Sequence, residues 1–247
     1  MLKQLIIISL FTLAASAHAT APSEQRWDFN VLLDQQKIGQ HSFVVRQEQS
    51  ADKGMLQTVQ IDADFNVKVL FFNAYSYQHT NTESWQGNCL VALTSRTNDN
   101  GEDLAVQAST RDQRFVVQTD SGTDTFAACP MSFAYWNPAL LSADSLVNAQ
   151  TGELVPVEIT ALGSEQITVA GEVLEANHYA LTLEEQTIEL WYAADDYRWL
   201  ALETPARGDR TLRYEATALP AAQSLAQQPA YQQARQALSG QTNAMAH

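Results

Sequence analysis

Val59-Gln60-Ile61-Asp62-Ala63-Asp64-Phe65-Asn66-Val67-Lys68-Val69 places an apolar residue at every odd position and a polar one at every even position. Successive side chains of a strand point to opposite faces, whereas a helical face recurs every three to four residues. The stretch therefore reads as a strand with one dry and one wet face, the pattern of an antiparallel sheet packed on one side.

The same period extends outward. Upstream, Trp27 to Leu33 pairs with His41 to Glu48 across Asp34-Gln35-Gln36-Lys37, with Gly39 allowing a turn or bulge. Downstream, Leu90 to Arg96, Leu104 to Ser109 and Phe115 to Thr119 are separated by Asn98-Asp99-Asn100-Gly101 and Ser121-Gly122. After Cys129 the alternation stops at Pro130 to Pro138, and Ala139 to Asn148 reads as a short helix. Strands resume at Leu154 to Ala161, Gln166 to Val169, Val173 to Leu183, Thr187 to Ala193, Trp199 to Glu203 and Leu212 to Leu219. Short connections imply antiparallel neighbours. The expectation is an all-β chain, a single large antiparallel meander of about 12 strands curved into a half-barrel or flattened barrel, with a short helical insert and a C-terminal helix. Gln150-Thr151-Gly152 marks the midpoint between halves, with no Pro/Gly/Ser-rich linker to make it a boundary.

The ends read differently from the middle. Lys3, the apolar run Leu5 to Ala15 and Ala17-His18-Ala19 have the layout of a secretory signal peptide cleaved before Thr20. The apolar run is shorter than the roughly 20 residues needed to span a bilayer. From Pro220 the composition turns to Ala and Gln, with Pro229 placed to start a peripheral helix and Gly240 to end it. The expected organisation is residues 1–19 as signal peptide, 20–219 as antiparallel β domain and 220–247 as helix or tail. It implies export to the periplasm, a soluble chain after cleavage and no transmembrane anchor. Cys89 and Cys129 would meet in that oxidising compartment as a disulfide, with free thiols or a redox pair as the alternatives.

Composition excludes two classes. Of 247 residues 45% are hydrophobic, too many for a disordered chain, and 14 Lys and Arg against 28 Asp and Glu give a formal charge of −14. That charge repels nucleic acid and anionic lipid surfaces.

The residues that could carry chemistry are few. The chain lacks a Gly-x-Ser-x-Gly elbow, a phosphate-binding glycine loop, a dinucleotide fingerprint and a His-Glu-x-x-His pair. His41, His79 and His178 fall in separate expected strands and could meet at a metal with Glu83, or remain ordinary imidazoles. Ser76, Ser84 or Ser95 could serve one of them as nucleophile. Glu184, Glu185, Asp195, Asp196 and Glu203 invite a two-carboxylate glycosidase reading in a chain where chance pairs of acids abound. More informative is Phe71 to Trp85. One face carries Phe71, Asn73, Tyr75, Tyr77, His79, Asn81, Glu83 and Trp85, an aromatic surface with a few polar groups that suits either a ligand pocket or ordinary core. Tyr135-Trp136-Asn137-Pro138 could lie over the sheet mouth as a lid or plug one end. The ligand-binding set expected from these stretches is Phe71, Tyr75, Tyr77, His79, Trp85, Tyr135 and Trp136; no catalytic residue, metal or other cofactor is assigned.

The segments Trp27 to Asp34, Ile38-Gly39-Gln40-His41, Tyr75-x-Tyr77-x-His79, Glu83-x-Trp85, Thr97 to Gly101, Tyr135-Trp136-Asn137 and Leu190-Trp191-Tyr192 resemble, in their order, a bacterial exported family classed only as a domain of unknown function. The resemblance spans about residues 26 to 219 and implies no activity. More loosely, the strand pattern is similar to periplasmic lipoprotein carriers of the LolA-like type, whose curved sheet holds acyl chains, a likeness of fold alone. The expected function is binding of a lipid or other hydrophobic small molecule on a concave sheet. The alternatives are an envelope enzyme acting on lipid or glycan through His79, Glu83 or His178, and an envelope protein-interaction module of unknown partner.

Overall fold

The computed structural model describes residues 23–50, 54–69 and 72–221. Eight strands follow one another from the start: β1 (Ser23–Leu33), β2 (Gln36–Ser50), β3 (Gly54–Val69), β4 (Phe72–Gln86), β5 (Cys89–Asp99), β6 (Glu102–Arg111), β7 (Arg114–Thr119) and β8 (Gly122–Ala127). An insert then holds β9 (Met131–Ser132), a 3₁₀ turn over Pro138–Ser142, β10 (Ser145–Val147) and β11 (Leu154–Pro156). Five strands complete the fold: β12 (Glu158–Val169), β13 (Glu172–Thr182), β14 (Thr187–Ala193), β15 (Trp199–Ala206) and β16 (Arg210–Ala218).

Thirteen strands form one sheet in the order β12-β13-β14-β15-β16-β1-β2-β3-β4-β5-β6-β7-β8, and the other three form a small sheet of their own. The main sheet is two antiparallel meanders joined where β1 pairs with β16. Laid flat it would be roughly 60 Å wide at the usual strand spacing. Yet Phe115 and Val117 of β7 share one core with Leu190 and Tyr192 of β14, so the sheet curls until its two halves face each other. β8 and β12 remain its edges.

The inner face follows the alternation. Val59, Ile61 and Ala63 are buried while Gln60, Asp62 and Asp64 are exposed. Gly39 is required by a close approach, because a Cβ there would lie 1.9 Å from the Asp64 carbonyl oxygen on β3. The insert enters the concave side. Trp136, Leu140, Leu141, Leu146 and Val147 join the core, and Gly152 (φ 80°) packs so closely on β7 that a Cβ would meet Val117 and Thr119 within 3 Å. Cys89 and Cys129 are disulfide-bonded, tying the start of β5 to the start of the insert.

The structure corrects the expected helical insert. No α-helix occurs among the described residues. Over Ala139 to Asn148 there is a single 3₁₀ turn, started by Pro138 and capped by Asn137, whose Oδ1 accepts from the Ala139 N–H. Ala143 is extended, and Ser145 to Val147 pairs with β9 and β11 instead. The reason is burial: consecutive Leu140 and Leu141, then consecutive Leu146 and Val147, all reach the core, which a continuous one-faced helix would not allow. The expected C-terminal helix and signal peptide fall outside the described residues. The main sheet has thirteen strands rather than about twelve.

Candidate functional site

The sheet register places chemistry-bearing residues side by side on its inner face. His41 of β2 lies opposite Ala63, Ala63 opposite His79, and His79 opposite Thr97. One step along, Phe43, Ile61, Asn81 and Ser95 form the next row, and beyond it Val45, Val59, Glu83 and Leu93. The short side chain of Ala63 leaves space between the imidazoles. Phe133, Tyr135, Asn148, Ala149 and Gln150 of the insert and Leu183, Gln186 and Ile188 of the β13–β14 corner face these rows across a chamber of about 270 Å³.

The insert is held over the chamber by a ring of polar contacts. The Tyr77 hydroxyl donates to Gln150 Oε1 (3.1 Å), and Gln150 Nε2 donates to Asp99 Oδ2 (3.3 Å). The Ser95 hydroxyl donates to the Ala149 carbonyl, and the Tyr192 hydroxyl to the Tyr135 carbonyl (2.9 Å). Below them, the rings of Trp85 and Trp136 meet edge to face at 5.6 Å.

Burial keeps the chamber's bases neutral. His79 Nδ1 pairs with Thr97 Oγ1 (2.8 Å) and His41 Nδ1 with the Tyr214 hydroxyl (3.0 Å). Burial lowers the His79 pKa to about 4. Burial, with repulsion from His79 behind it, lowers that of His41 to about 3. Glu83 is fully buried; Oε1 accepts from Asn81 Nδ2 (3.0 Å) and Oε2 from Trp85 Nε1 (2.9 Å). Burial still outweighs these bonds and pushes its carboxyl above the usual range. Among the residues lining the chamber, two buried polar atoms have no hydrogen-bond partner, Asn81 Oδ1 and His41 Nε2.

These shifts make acid sensitivity an expected outcome. A histidine whose folded pKa is depressed takes up its proton mainly on unfolding, so its contribution falls as pH drops below about 6.5. For His79 the loss between pH 7 and pH 5 is about 2 kcal/mol. Urea midpoints at the two pH values check this, and His79→Gln should flatten the dependence; an unchanged slope in the variant contradicts it.

Three of the seven expected ligand-binding residues, Tyr77, His79 and Tyr135, line the chamber. Tyr75 is half-buried outside its lining and bonds Asp99. Trp85 and Trp136 are core, and Phe71 lies outside the described residues. Of the histidines, His41 and His79 share the chamber, whereas His178 stacks on Trp191 at 4.3 Å and pairs with Glu165 and Glu189. Its strand neighbour Tyr179 faces the core, which puts His178 on the outer face. No group of three His, Cys, Asp or Glu able to hold a metal occurs among the described residues. Ser76 and Ser84 lie on the outer face of β4, and Ser95 is committed to the insert. Of the acids considered for glycosidase chemistry, Glu184, Glu185 and Asp195 are exposed. Asp196 accepts from the Arg198 N–H, and Glu203 pairs with Arg213. Sequence reasoning missed Phe133, Asn148, Gln150 and Gln186 as lining. It also gave Asn81 no role, although Asn81 shares a strand face with His79.

A family model described as a domain of unknown function (DUF6134) matches residues 29–217. Among solved structures, the fold is similar to the crystal structure of a β-barrel-like protein of domain of unknown function DUF1849 from Brucella abortus. The TM-score is 0.54 at 11% identity, over 79% of this chain and 96% of that one. No curated protein matches the chain.

Proposed function

The chain belongs to the DUF6134 family, which supplies no activity to transfer, and we propose from its own geometry that it binds a small hydrophobic or amphipathic molecule inside the curled sheet. The observation that carries this reading is the chamber itself: aromatic and aliphatic walls set with amides, imidazoles and the one carboxyl of Glu83, the mixture typical of a ligand site. Its volume of about 270 Å³ sits just below the roughly 300–1,000 Å³ of drug-sized pockets. With the insert filling much of the remaining concave face, a short chain or single ring fits better than a two-chain lipid. We place the protein in the periplasm. The amino-terminal sequence has the layout of an export signal, and the Cys89–Cys129 disulfide suits an oxidising compartment.

Native mass spectrometry of the chain from Thr20 onward, purified from a bacterial periplasm, tests the reading. The expected result is a co-purifying small molecule, released by organic extraction and lost when Tyr77 and Tyr135 are changed to Ala in a still-folded protein. Protein that is empty and takes up nothing from an envelope extract overturns it.

A further inference from the structure

We propose that the chamber takes a small uncharged molecule with an apolar body and a hydrogen-bond donor, and that Asn81 is the group that receives that donor. This deepens the binding reading above and rests on it. Asn81 is 3% exposed and lines the chamber. Its Nδ2 donates to Glu83 Oε1 at 3.0 Å, which fixes the amide plane, yet Oδ1 has no partner. A buried acceptor left unmade costs about 1–3 kcal/mol, so a donor brought by a ligand recovers that cost. His41 Nε2, also unpartnered, offers a second polar point on the adjacent row.

The walls decide the ligand's charge. No Lys or Arg is among the lining residues. The two imidazoles are held neutral by burial, so a carboxylate or phosphate would lose its water without meeting a cation. A cation fares no better. Glu83 is the one acid of the lining, and each of its oxygens already accepts a hydrogen bond, from Asn81 and from Trp85. What remains complementary is a neutral hydroxyl or amide N–H on an apolar body lying against Phe43, Ile61, Tyr135 and Ile188.

Three probes of matched length separate the possibilities: octan-1-ol, octanoate and octylammonium, titrated into the periplasm-purified protein at pH 7.5 by calorimetry or competition. Octan-1-ol is expected to bind about tenfold or more tightly than either ion. Asn81→Leu, close in size, should weaken octan-1-ol about tenfold and leave little discrimination. Should that variant fail to fold, the side-chain amide signals of Asn81 in the unmodified protein provide the readout, and they should shift as octan-1-ol saturates. Octanoate or octylammonium binding as tightly as the alcohol, or Asn81 signals that stay fixed at saturation, overturns the proposal while leaving ligand binding in place. If none of the probes binds although the purified protein carries a ligand, the assignment of ligand chemistry fails alone. If none binds and the purified protein is empty, the binding reading fails with it.

Discussion

Trp85→Ala is expected to lower the unfolding free energy by about 3–5 kcal/mol, the range for deleting a buried tryptophan from a packed core. The side chain is fully buried. Its ring meets Trp136 of the insert edge to face, and its Nε1–H donates to Glu83 Oε2. Truncation would therefore open a cavity beneath the insert and leave the buried Glu83 carboxyl short of a donor. Urea unfolding followed by far-ultraviolet circular dichroism measures the loss. Trp85→Phe, which keeps a ring but no N–H, should cost less. A loss under about 1 kcal/mol for the alanine variant would mean that the insert does not depend on this contact for its seat.

Opening the disulfide has an effect of similar size by a different route. Cys89 and Cys129 are 40 residues apart in sequence, and in the chain-entropy picture a closed loop of that length stabilises the native state by about 4 kcal/mol, chiefly by restricting the unfolded chain. The loop contains β5 to β8, the outer half of one meander. Changing both cysteines to serine should lower the urea midpoint accordingly, and dithiothreitol should do the same to the unmodified protein. Because the bridge also anchors the insert's first residues, binding of a chamber ligand should weaken in the double variant. An unchanged midpoint would show that the unfolded chain is already compact between those positions.

Much of the main sheet was legible because period-two alternation survives wherever one face is dry, as in Val59 to Phe65. It failed at the edges. β12 reads as two strands because Leu162-Gly163-Ser164-Glu165 resembles a turn, but the chain continues through a bulge between Ala161 and Gly163 and keeps its ladder with β13. With one side unpaired and nearly every side chain exposed, it carries little alternation to read. β8, Gly-Thr-Asp-Thr-Phe-Ala, is an exposed polar edge for the same reason. The insert was legible only as a break in pattern. Its partners lie on strands remote in sequence, Tyr192 for Tyr135 and Ser95 for Ala149, so no local period marks them. The inward face of β4 was legible, since Tyr77 and His79 are where alternation puts them. Asn81, Glu83 and Trp85 share that face too, but alternation marks only the face and not the hydrogen bonds that link the three side chains once the insert buries them.

The pairing of β1 with β16 sets an order of assembly. Every other ladder of the main sheet joins strands that are consecutive in that sheet's path along the chain, apart from the excursion through the insert. At this one ladder the Thr217 hydroxyl bonds the Asp28 carbonyl across 189 positions of chain. Hairpins on either side can zip as soon as their residues are available, whereas this ladder must wait for β16 and bear the loop-closure entropy of the whole fold. Until then β1 presents a naked edge to any passing strand. Among the described strands the first made is thus the last to be covered on both sides, and a chain caught between those moments is open to misassociation along that edge.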